Sequence, residues 1–432
     1  MNPISLAQAL AMGLLLWAGA AAQAADMAPL SPTPPPAKVL TWEDCVALAA
    51  RQNPNLVSAQ YAEKAGRASY LGSFNGLMPS VSLSNGYSSS SGGSGKAAYS
   101  ASASAGLSLF DMGQIAGIRS ASASYSQAQA SLRLASANLR FNLRSAFVTA
   151  FMADKNVDVA RKILDIRQRN AESVALKYQS GKEYKGNMLN AQAQLLQSRA
   201  SLAQSLRGLR TARRALDQQL GQDDFSEVAA TGTLTAQHPP DFPARMQDYV
   251  AARPDVAVQE AAVLAQRASV ASAQSSLWPA LSANYSRSRS GSAEFPGANY
   301  GWSAGAALSL PIFGGGPTST YFAVKGAKSG LEKSLQDLRA VRNSALVDLE
   351  SKWADYADSV DQLRVAEASL EAARQRNAEA DIRYGSGLLS FDNWEVIVGE
   401  WVNSEQAALQ ARSRAVTAQA AWEKSLGTAL GE

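Results

Sequence analysis

Apolar and small polar residues alternate in four segments of the chain, at about residues 80–89, 98–110, 280–290 and 299–312. A period of two places successive side chains on opposite faces of a β-strand, so these segments predict two β-hairpins. Each hairpin has one apolar face and one face of serine, glycine and other small residues. The residues predicted for the apolar face are Val81, Leu83, Tyr99, Ala103, Leu107, Leu281, Tyr285, Tyr300, Trp302 and Leu308.

The length of these strands is typical of transmembrane β-barrels, in which an apolar outer face meets lipid. One hairpin alone is weak evidence, because a hairpin packed on a soluble core alternates in the same way. Four such strands, with Tyr99, Tyr300 and Trp302 near strand ends, favour a lipid-facing assignment, because aromatic residues collect at membrane interfaces. Arg287 and Arg289 share the apolar parity, and we expect them beyond the hydrocarbon, near the outer loop.

Four strands are too few to close a barrel, since single-chain bacterial barrels begin at about eight strands. An open sheet edge in lipid would leave backbone groups without hydrogen bonds. Further copies of the chain must therefore complete the barrel. Two copies would give about eight strands with a filled interior, and three would give about twelve strands around a lumen. The serine-rich inner face favours the wider barrel, although this argument alone leaves the copy number open.

Each hairpin is followed by a very long helical pattern, at about 113–178 and 318–384. Such a helix would extend on the order of 100 Å at about 1.5 Å per residue. Ile118, Tyr125 and Leu132 keep heptad spacing, which is typical of coiled coils. An ordinary helix-bundle core would use the same residues, but it would not explain the length. Shorter return helices are predicted at about 185–220 and 392–426.

The chain is an internal duplication. Asn53-Pro54 returns as Arg253-Pro254, 200 residues later, and Tyr178 with Gly181 returns as Tyr384 with Gly387, 206 residues later. The predicted organisation is a first repeat at 41–221, a linker at 222–242 and a second repeat at 243–432. Thr41 and Asp44 predict a capping box at the start of a helix that runs to about Phe74. A related helix is predicted at about 243–276, and these two helices would stack end to end with the return helices.

The first residues have the features of an export signal. Leu6 to Ala22 is mostly apolar, and Ala22-Gln23-Ala24 offers a small-x-small cleavage pattern. We expect a signal peptide at 1–24, followed by a Pro-rich segment at 25–40. An uncleaved anchor helix is the alternative, because the only positive charge before Leu6 is the amino terminus.

The composition argues against nucleic-acid binding and against most kinds of catalytic or metal site. The chain has 40 Lys and Arg against 36 Asp and Glu, without dense basic runs, so nucleic-acid binding is not supported. Cys45 is its one cysteine and His238 its one histidine, and His238 lies in the Pro-rich linker. We therefore expect no catalytic site, no cofactor and no metal site, and we expect Cys45 to be a buried apolar side chain. An exported hydrolase would lack a well-placed base.

Several motifs together resemble the TolC-type outer membrane efflux and secretion channels over about residues 40–430. The matching motifs are Leu40 to Leu56 with its Asn-Pro-x-Leu ending, the strand-to-helix junctions Leu107–Gly113 and Leu308–Gly315, and the hairpin tips Tyr178-x-x-Gly181 and Tyr384-x-x-Gly387-Leu388. The resemblance implies an α+β membrane protein in which the duplicated unit is a β-hairpin plus a long helical hairpin. It also implies a homotrimer, with a twelve-stranded β-barrel in the outer membrane of a Gram-negative bacterium and a twelve-helix tunnel in the periplasm.

The same resemblance implies passive export of small molecules, or type I protein secretion. The substrate would come from an inner membrane transporter through a periplasmic adaptor, also called a membrane fusion protein. A soluble periplasmic coiled-coil scaffold or adaptor is the alternative, but it leaves the alternating segments unexplained. The residues expected at the adaptor-contacting periplasmic tips are Tyr178, Ser180, Gly181, Lys182, Tyr384, Ser386, Gly387, Leu388, Leu389 and Ser390. The candidate aperture residues are Asn187, Asp392, Asn393 and Glu395; the alternative for the two carboxylates is that they are helix-start acids in solvent.

Overall fold

A computed structural model describes residues 38–89, 98–222, 228–232, 235–242, 245–291, 299–311 and 316–431. The expected signal peptide and nearly all of the expected Pro-rich segment lie outside the described residues. Parts of the linker and the last predicted residue of the fourth strand also lie outside them.

The elements of the two halves follow the same order. The first half contains β1 (Lys38–Leu40), α1 (Trp42–Gln52), α2 (Pro54–Ser73), a 3₁₀ turn (Phe74–Leu77), β2 (Ser80–Ser88), β3 (Ala98–Phe110), α3 (Met112–Gln179) and α4 (Lys185–Leu220). The second contains β4 (Val228–Ala230), α5 (Met246–Ala252), α6 (Pro254–Ser275), β5 (Ala280–Gly291), β6 (Asn299–Ser309), α7 (Pro317–Gly385) and α8 (Phe391–Ser425).

The helix predicted to run unbroken from Thr41 to Phe74 is divided in two, and so is the one predicted at 243–276. The divisions fall before Pro54 and Pro254. Proline disfavours helical backbone at the residue before it, and Asn53 accordingly has φ −63° and ψ 119°. The prediction of one continuous helix was therefore wrong in both halves. The capping box is confirmed, because Asp44 N–H donates to the Thr41 hydroxyl at 3.3 Å and Thr41 N–H donates to the Asp44 carboxylate at 3.1 Å.

The residue at each division caps the end of a return helix with its side chain. The side-chain amide of Asn53 donates to the Gln219 carbonyl at 2.8 Å, and in the second half the Arg253 guanidinium donates to the Ser425 carbonyl at 3.2 Å. These carbonyls belong to the last turns of α4 and α8, and carbonyl groups at such positions have no hydrogen-bond partner within the helix. The duplicated X-Pro motif therefore breaks one helix and closes the end of another.

The four long strands form one antiparallel sheet in the order β2-β3-β5-β6. The two hairpins meet where β3 pairs with β5, so the sheet is continuous across the duplication. A second, two-stranded parallel sheet pairs β1 with β4. This small sheet was not predicted, because three-residue strands leave too short a pattern to recognise.

Two strand ends differ from expectation. Strict alternation would place Leu109 on the apolar face after Leu107, but a β-bulge between Ser108 and Phe110 brings Phe110 opposite Leu281 instead. A bulge adds one residue to a strand and so shifts the side chains beyond it. The fourth strand ends at Ser309 rather than at 312, since Leu310 and Pro311 follow it without strand pairing.

α3 is the central helix of the helical body, because α2, α4, α6 and α8 all pack against it. The largest apolar cluster lies along its middle and includes Leu143 and Phe147, with Leu216 from α4 and Val416 from α8. Cys45 is fully buried in this cluster, and burial raises the pKa of its thiol to about 12. Within the described part of the chain, no helix combines the length and the apolar character needed to cross a bilayer.

Candidate functional site: the sheet and the two hairpin tips

One face of the sheet carries all ten residues that the alternation assigned to the apolar face. The register places Leu83 opposite Ala103, Ala105 opposite Tyr285, and Leu281 opposite Leu308. The large side chains project outwards, and Leu83, Leu308 and Trp302 are 82%, 72% and 70% exposed in the single chain. An exposed apolar surface of this size is unusual for a soluble protein and is typical of a surface that meets a membrane or a partner.

The opposite face is a lattice of hydroxyl groups. Ser82 and Ser104 lie 2.7 Å apart across β2 and β3, and Ser286 and Ser303 lie 3.0 Å apart across β5 and β6. The register also places Ser104 opposite Ser286, so these four serines form one row across the whole sheet. This face is therefore polar and uncharged, and its small side chains leave room beside it.

The two hairpin tips have the same backbone geometry. Gly181 and Gly387 adopt positive φ angles of 70° and 77°. The amide of the following residue then bonds back to a carbonyl five residues earlier: Lys182 to Lys177 at 2.8 Å, and Leu388 to Arg383 at 2.8 Å. This is the Schellman arrangement, which satisfies carbonyl groups at a helix end and favours glycine at the left-handed position. Glycine thus fixes both turns.

The second tip contains an aromatic cluster. Tyr384 and Trp394 are stacked with ring centroids 4.3 Å apart, and Phe391 packs edge-on against Tyr384 and at a tilt against Trp394. All three side chains are buried. The indole N–H of Trp394 donates to the Asp381 carboxylate at 2.7 Å, so the polar part of the buried indole has a partner. This cluster joins the end of α7 to the start of α8.

The first helical hairpin, formed by α3 and α4, contacts this cluster through Lys177 and Glu183. The Lys177 ammonium lies 3.4 Å from the centre of the Tyr384 ring and donates to the Tyr384 carbonyl at 2.9 Å. The Tyr384 hydroxyl donates to the Glu183 carboxylate at 3.3 Å. Burial, followed by the charge of Glu183, raises the pKa of Tyr384, and burial lowers the pKa of Lys177 although Glu183 opposes that shift.

An ion pair ties the two hairpins together above the tips. One guanidinium nitrogen of Arg167 on α3 lies 2.7 Å and 2.8 Å from the two carboxylate oxygens of Glu395 on α8. The Arg167 and Glu395 side chains are only 9% and 18% exposed. Glu395 therefore has a partner within its own chain, rather than facing solvent as an aperture residue would.

The other candidate aperture residues lie at different places. Asn187 donates to the Glu183 carboxylate at 2.7 Å. Asp392 and Asn393 are exposed in the first turn of α8, where the Ser390 hydroxyl accepts a hydrogen bond from the Asn393 amide. Among the candidate tip residues, Tyr384 is buried, whereas Tyr178, Ser180, Gly181, Lys182, Ser386, Gly387 and Leu388 are exposed. Leu389 packs partly buried against the aromatic cluster.

Sequence reasoning missed the residues that hold the tips together, namely Arg167, Lys177, Glu183 and Trp394. Each of them contacts a residue more than ten positions away, and no periodicity marks such a pair. Within the described residues there is no group of three or more His, Cys, Asp or Glu side chains that could hold a metal ion.

The structure combines a four-stranded sheet that has one exposed apolar face with a long helical body, in which two helices are 68 and 69 residues long. The chain belongs to the outer membrane efflux protein family, whose model matches residues 46–222 and 246–428. The resemblance stated from the motifs is confirmed, and so is the expected location in the outer membrane with extension into the periplasm.

Known relatives are distant in sequence. The cobalt-zinc-cadmium resistance protein CzcC of Cupriavidus metallidurans is 23% identical over 288 residues, which cover 66% of this chain and 65% of CzcC. The match therefore spans slightly less than two thirds of that relative.

The fold is shared with solved outer membrane channels. OprN has a TM-score of 0.78 at 22% identity and covers 90% of each chain. CusC has a TM-score of 0.80 at 18% identity, covering 89% of this chain and 91% of its own. The open state of MtrE from Neisseria gonorrhoeae has a TM-score of 0.76 at 18% identity, covering 89% of this chain and 88% of its own.

Proposed function

We propose that three copies of the chain assemble into a channel that gives substrates a passive exit from the periplasm to the exterior. The observation that carries this proposal is the open sheet. β2 and β6 are its edges, and each has only one neighbouring strand among the described residues. Because unpaired backbone groups are costly in lipid, an edge from a second copy must cover each of them. Three copies would give a twelve-stranded barrel with the serine face inside.

The helices support association with further copies. Leu189 and Leu196 lie one heptad apart on α4, and both are exposed. Val365 and Ile382 on α7 are also exposed. Within one chain, α3 packs against α8. The duplication makes α7 and α4 the equivalent pair, and in a closed ring they would meet between neighbouring copies. Apolar residues on these helices suit such a contact, and the resulting tunnel would contain twelve helices.

The exposed tip residues are proposed to contact a periplasmic adaptor, through which an inner membrane transporter would supply the substrate and the energy. Asp392 and Asn393, repeated by threefold symmetry, are the proposed aperture residues because they are exposed at the start of α8. Glu395 is assigned instead to the contact between hairpins. Export of small molecules agrees with the family, whereas type I protein secretion is a further use of the same channel.

The test of the barrel uses paired substitutions on the two faces of the sheet. Ala103→Asp and Ala306→Asp would place a charge on the lipid face, and Ser102→Asp and Ser303→Asp would place it on the lumen face. We expect the first pair to lose the trimer from the outer membrane fraction, measured by native mass spectrometry in detergent, and the second pair to keep it. Equal tolerance on both faces, or a soluble monomeric wild type, would contradict the proposal.

A further inference from the structure

The apolar face of the sheet is interrupted at one place by positive charge. Arg287 and Arg289 are the only charged residues within β2, β3, β5 and β6 as the structure bounds these strands. Both lie on the apolar face, because Arg287 pairs with Ala103 and Trp302, and Arg289 pairs with Ala101 and Tyr300. Both side chains are exposed. The sheet therefore presents two adjacent guanidinium groups on a surface that is otherwise uncharged.

The depth of the two arginines in the proposed barrel follows from their position along β5, and aromatic residues surround them. Trp302 and Tyr300 flank them on β6, and Tyr87 and Tyr99 lie close to the same end of the sheet, with ring centroids 4.9 Å apart. β5 begins at Ala280, so with a rise of about 3.3 Å per residue and a tilt of about 40°, the two arginines lie roughly 18 and 23 Å above the inner end of the strand. The apolar band of such barrels is about 25 Å tall. With Ala280 at the inner edge of the band, the two backbones lie about 7 Å and 2 Å below its outer edge, at the end remote from the helices. The long arginine side chains can extend from there to the headgroups of the outer leaflet.

An anionic partner stabilises arginine side chains at this depth. No ion pair to Arg287 or Arg289 occurs among the described residues, and the four strands contain no Asp or Glu. Arginine forms paired hydrogen bonds with phosphate, and the alanines on β3 leave open space on one side of both guanidinium groups. Resting on the proposed membrane barrel, we propose that Arg287 and Arg289 bind the phosphate groups of the phosphorylated glycolipid in the outer leaflet.

The experiment compares lipid binding by the full-length protein and three variants in nanodiscs of phosphatidylcholine that contain bisphosphorylated lipid A. Arg287→Gln with Arg289→Gln removes both charges, and Arg287→Lys with Arg289→Lys retains them. Lys325→Gln with Arg339→Gln is the matched control, because it removes two exposed charges from α7 in the periplasmic body. We expect the glutamine pair to lower lipid A affinity at least tenfold, the lysine pair to lower it less, and the control to leave it unchanged.

Two further measurements address neutralisation within the chain and general anion binding. Glu294 follows Arg289 by five residues in the sequence, and if it neutralised the arginines, Glu294→Gln would raise lipid A affinity strongly and overturn the proposal that lipid is their partner. Displacement of lipid A by millimolar inorganic phosphate would indicate a general anion site and would overturn the assignment to lipid.

Oligomer size and membrane insertion, measured on the same samples, distinguish the two levels of the proposal. Equal lipid A binding by an inserted, oligomeric glutamine pair would overturn the lipid site and leave the channel intact. Failure of the wild type to insert would overturn both.

Discussion

The tips of the two helical hairpins have the same backbone conformation, but the side chains that pack around it differ. Gly181 and Gly387 make the same left-handed turn, 206 residues apart. The second tip buries its aromatic residues, whereas Tyr184 in the first tip is 81% exposed and Tyr178 is 38% exposed. At the position equivalent to Trp394 the first tip has Met188. Duplication therefore preserved the turn, and the side chains around it diverged.

This divergence makes the two tips unequal partners. The second tip supplies the stacked rings, and the first supplies Lys177 and Glu183, which contact Tyr384 from outside. A buried aromatic cluster resists local opening because its exposure returns a large apolar area to water. We therefore interpret the second tip as the rigid member and the first as the adaptable one.

The largest effect is expected at the aromatic cluster. Trp394→Ala would remove the stacked indole and its hydrogen bond to Asp381, and should lower the local stability of the second tip by about 3–5 kcal/mol. Tyr184→Ala in the first tip should change local stability by less than about 0.5 kcal/mol, because that side chain is exposed. Hydrogen exchange of the amides at both tips measures the two values. Similar losses in the two variants would remove the distinction between the tips.

The ion pair between hairpins should give the next largest effect. Glu395→Gln would leave Arg167 nearly buried without its counter-charge, which should cost about 3 kcal/mol, seen as faster amide exchange in both hairpins. The double variant Arg167→Met with Glu395→Met should recover most of the loss, because both charges are then absent. Arg412→Ala, which breaks the exposed pair with Glu367, is the control and should cost about 1 kcal/mol or less. A loss in that control as large as in Glu395→Gln would show that burial is not the cause.

Asp217 and Glu423 occupy equivalent positions in the two return helices and differ in their partners. Glu423 lies 3.4 Å from the Arg140 guanidinium. Asp217 is buried, its Oδ1 has no hydrogen-bond partner among the described residues, and burial raises its pKa from 3.8 to about 6. A carboxyl group with a raised pKa contributes stability at low pH that is lost as pH rises through about 6.

Asp217→Asn should therefore stabilise the helical body at pH 8 by about 2 kcal/mol and leave it unchanged near pH 3.5, where the wild-type carboxyl is protonated. Thermal melting followed by circular dichroism at the two pH values measures the difference. Glu423→Gln should lower the melting temperature at pH 8, since it weakens the pair with Arg140. A stabilising effect of Asp217→Asn that is independent of pH would contradict this explanation.

Local patterns predicted much of the fold because they record local physics. The alternation of Val81 and Leu83 with serines gave the facing of β2, and α3 was predicted at 113–178 and lies at Met112–Gln179. Pro54 marks the repeat and also disfavours helical backbone at Asn53, so the helix expected to continue to Phe74 is divided there. The bulge at Leu109 could not be predicted, because the alternation itself continues through it.

The contacts of the tips needed the tertiary structure. Arg167 and Glu395 are each ordinary surface-type residues on helical patterns, and only the packing of α3 against α8 brings them together. In the same way, the sequence indicated Tyr384 as a tip residue but could not show that its ring is buried beneath Lys177. Long-range pairs of this kind have no period, and a single sequence offers no other trace of them.

The smallest effect is expected from substitution of the two turn glycines, at which the two tips should respond alike. Gly181→Ala and Gly387→Ala should each cost about 1 kcal/mol, because a side chain is disfavoured at positive φ while neither position has a neighbour within 4 Å. Asparagine at either position should cost less, since it tolerates this conformation. Gly186→Ala and Gly385→Ala, which are helical, should instead be neutral or stabilising.

Amide exchange at the two turns measures these costs. If Gly387→Ala cost several times more than Gly181→Ala, the aromatic cluster would have to constrain the turn itself. The difference between the tips would then reach the backbone, and would not be confined to the side chains that pack on it.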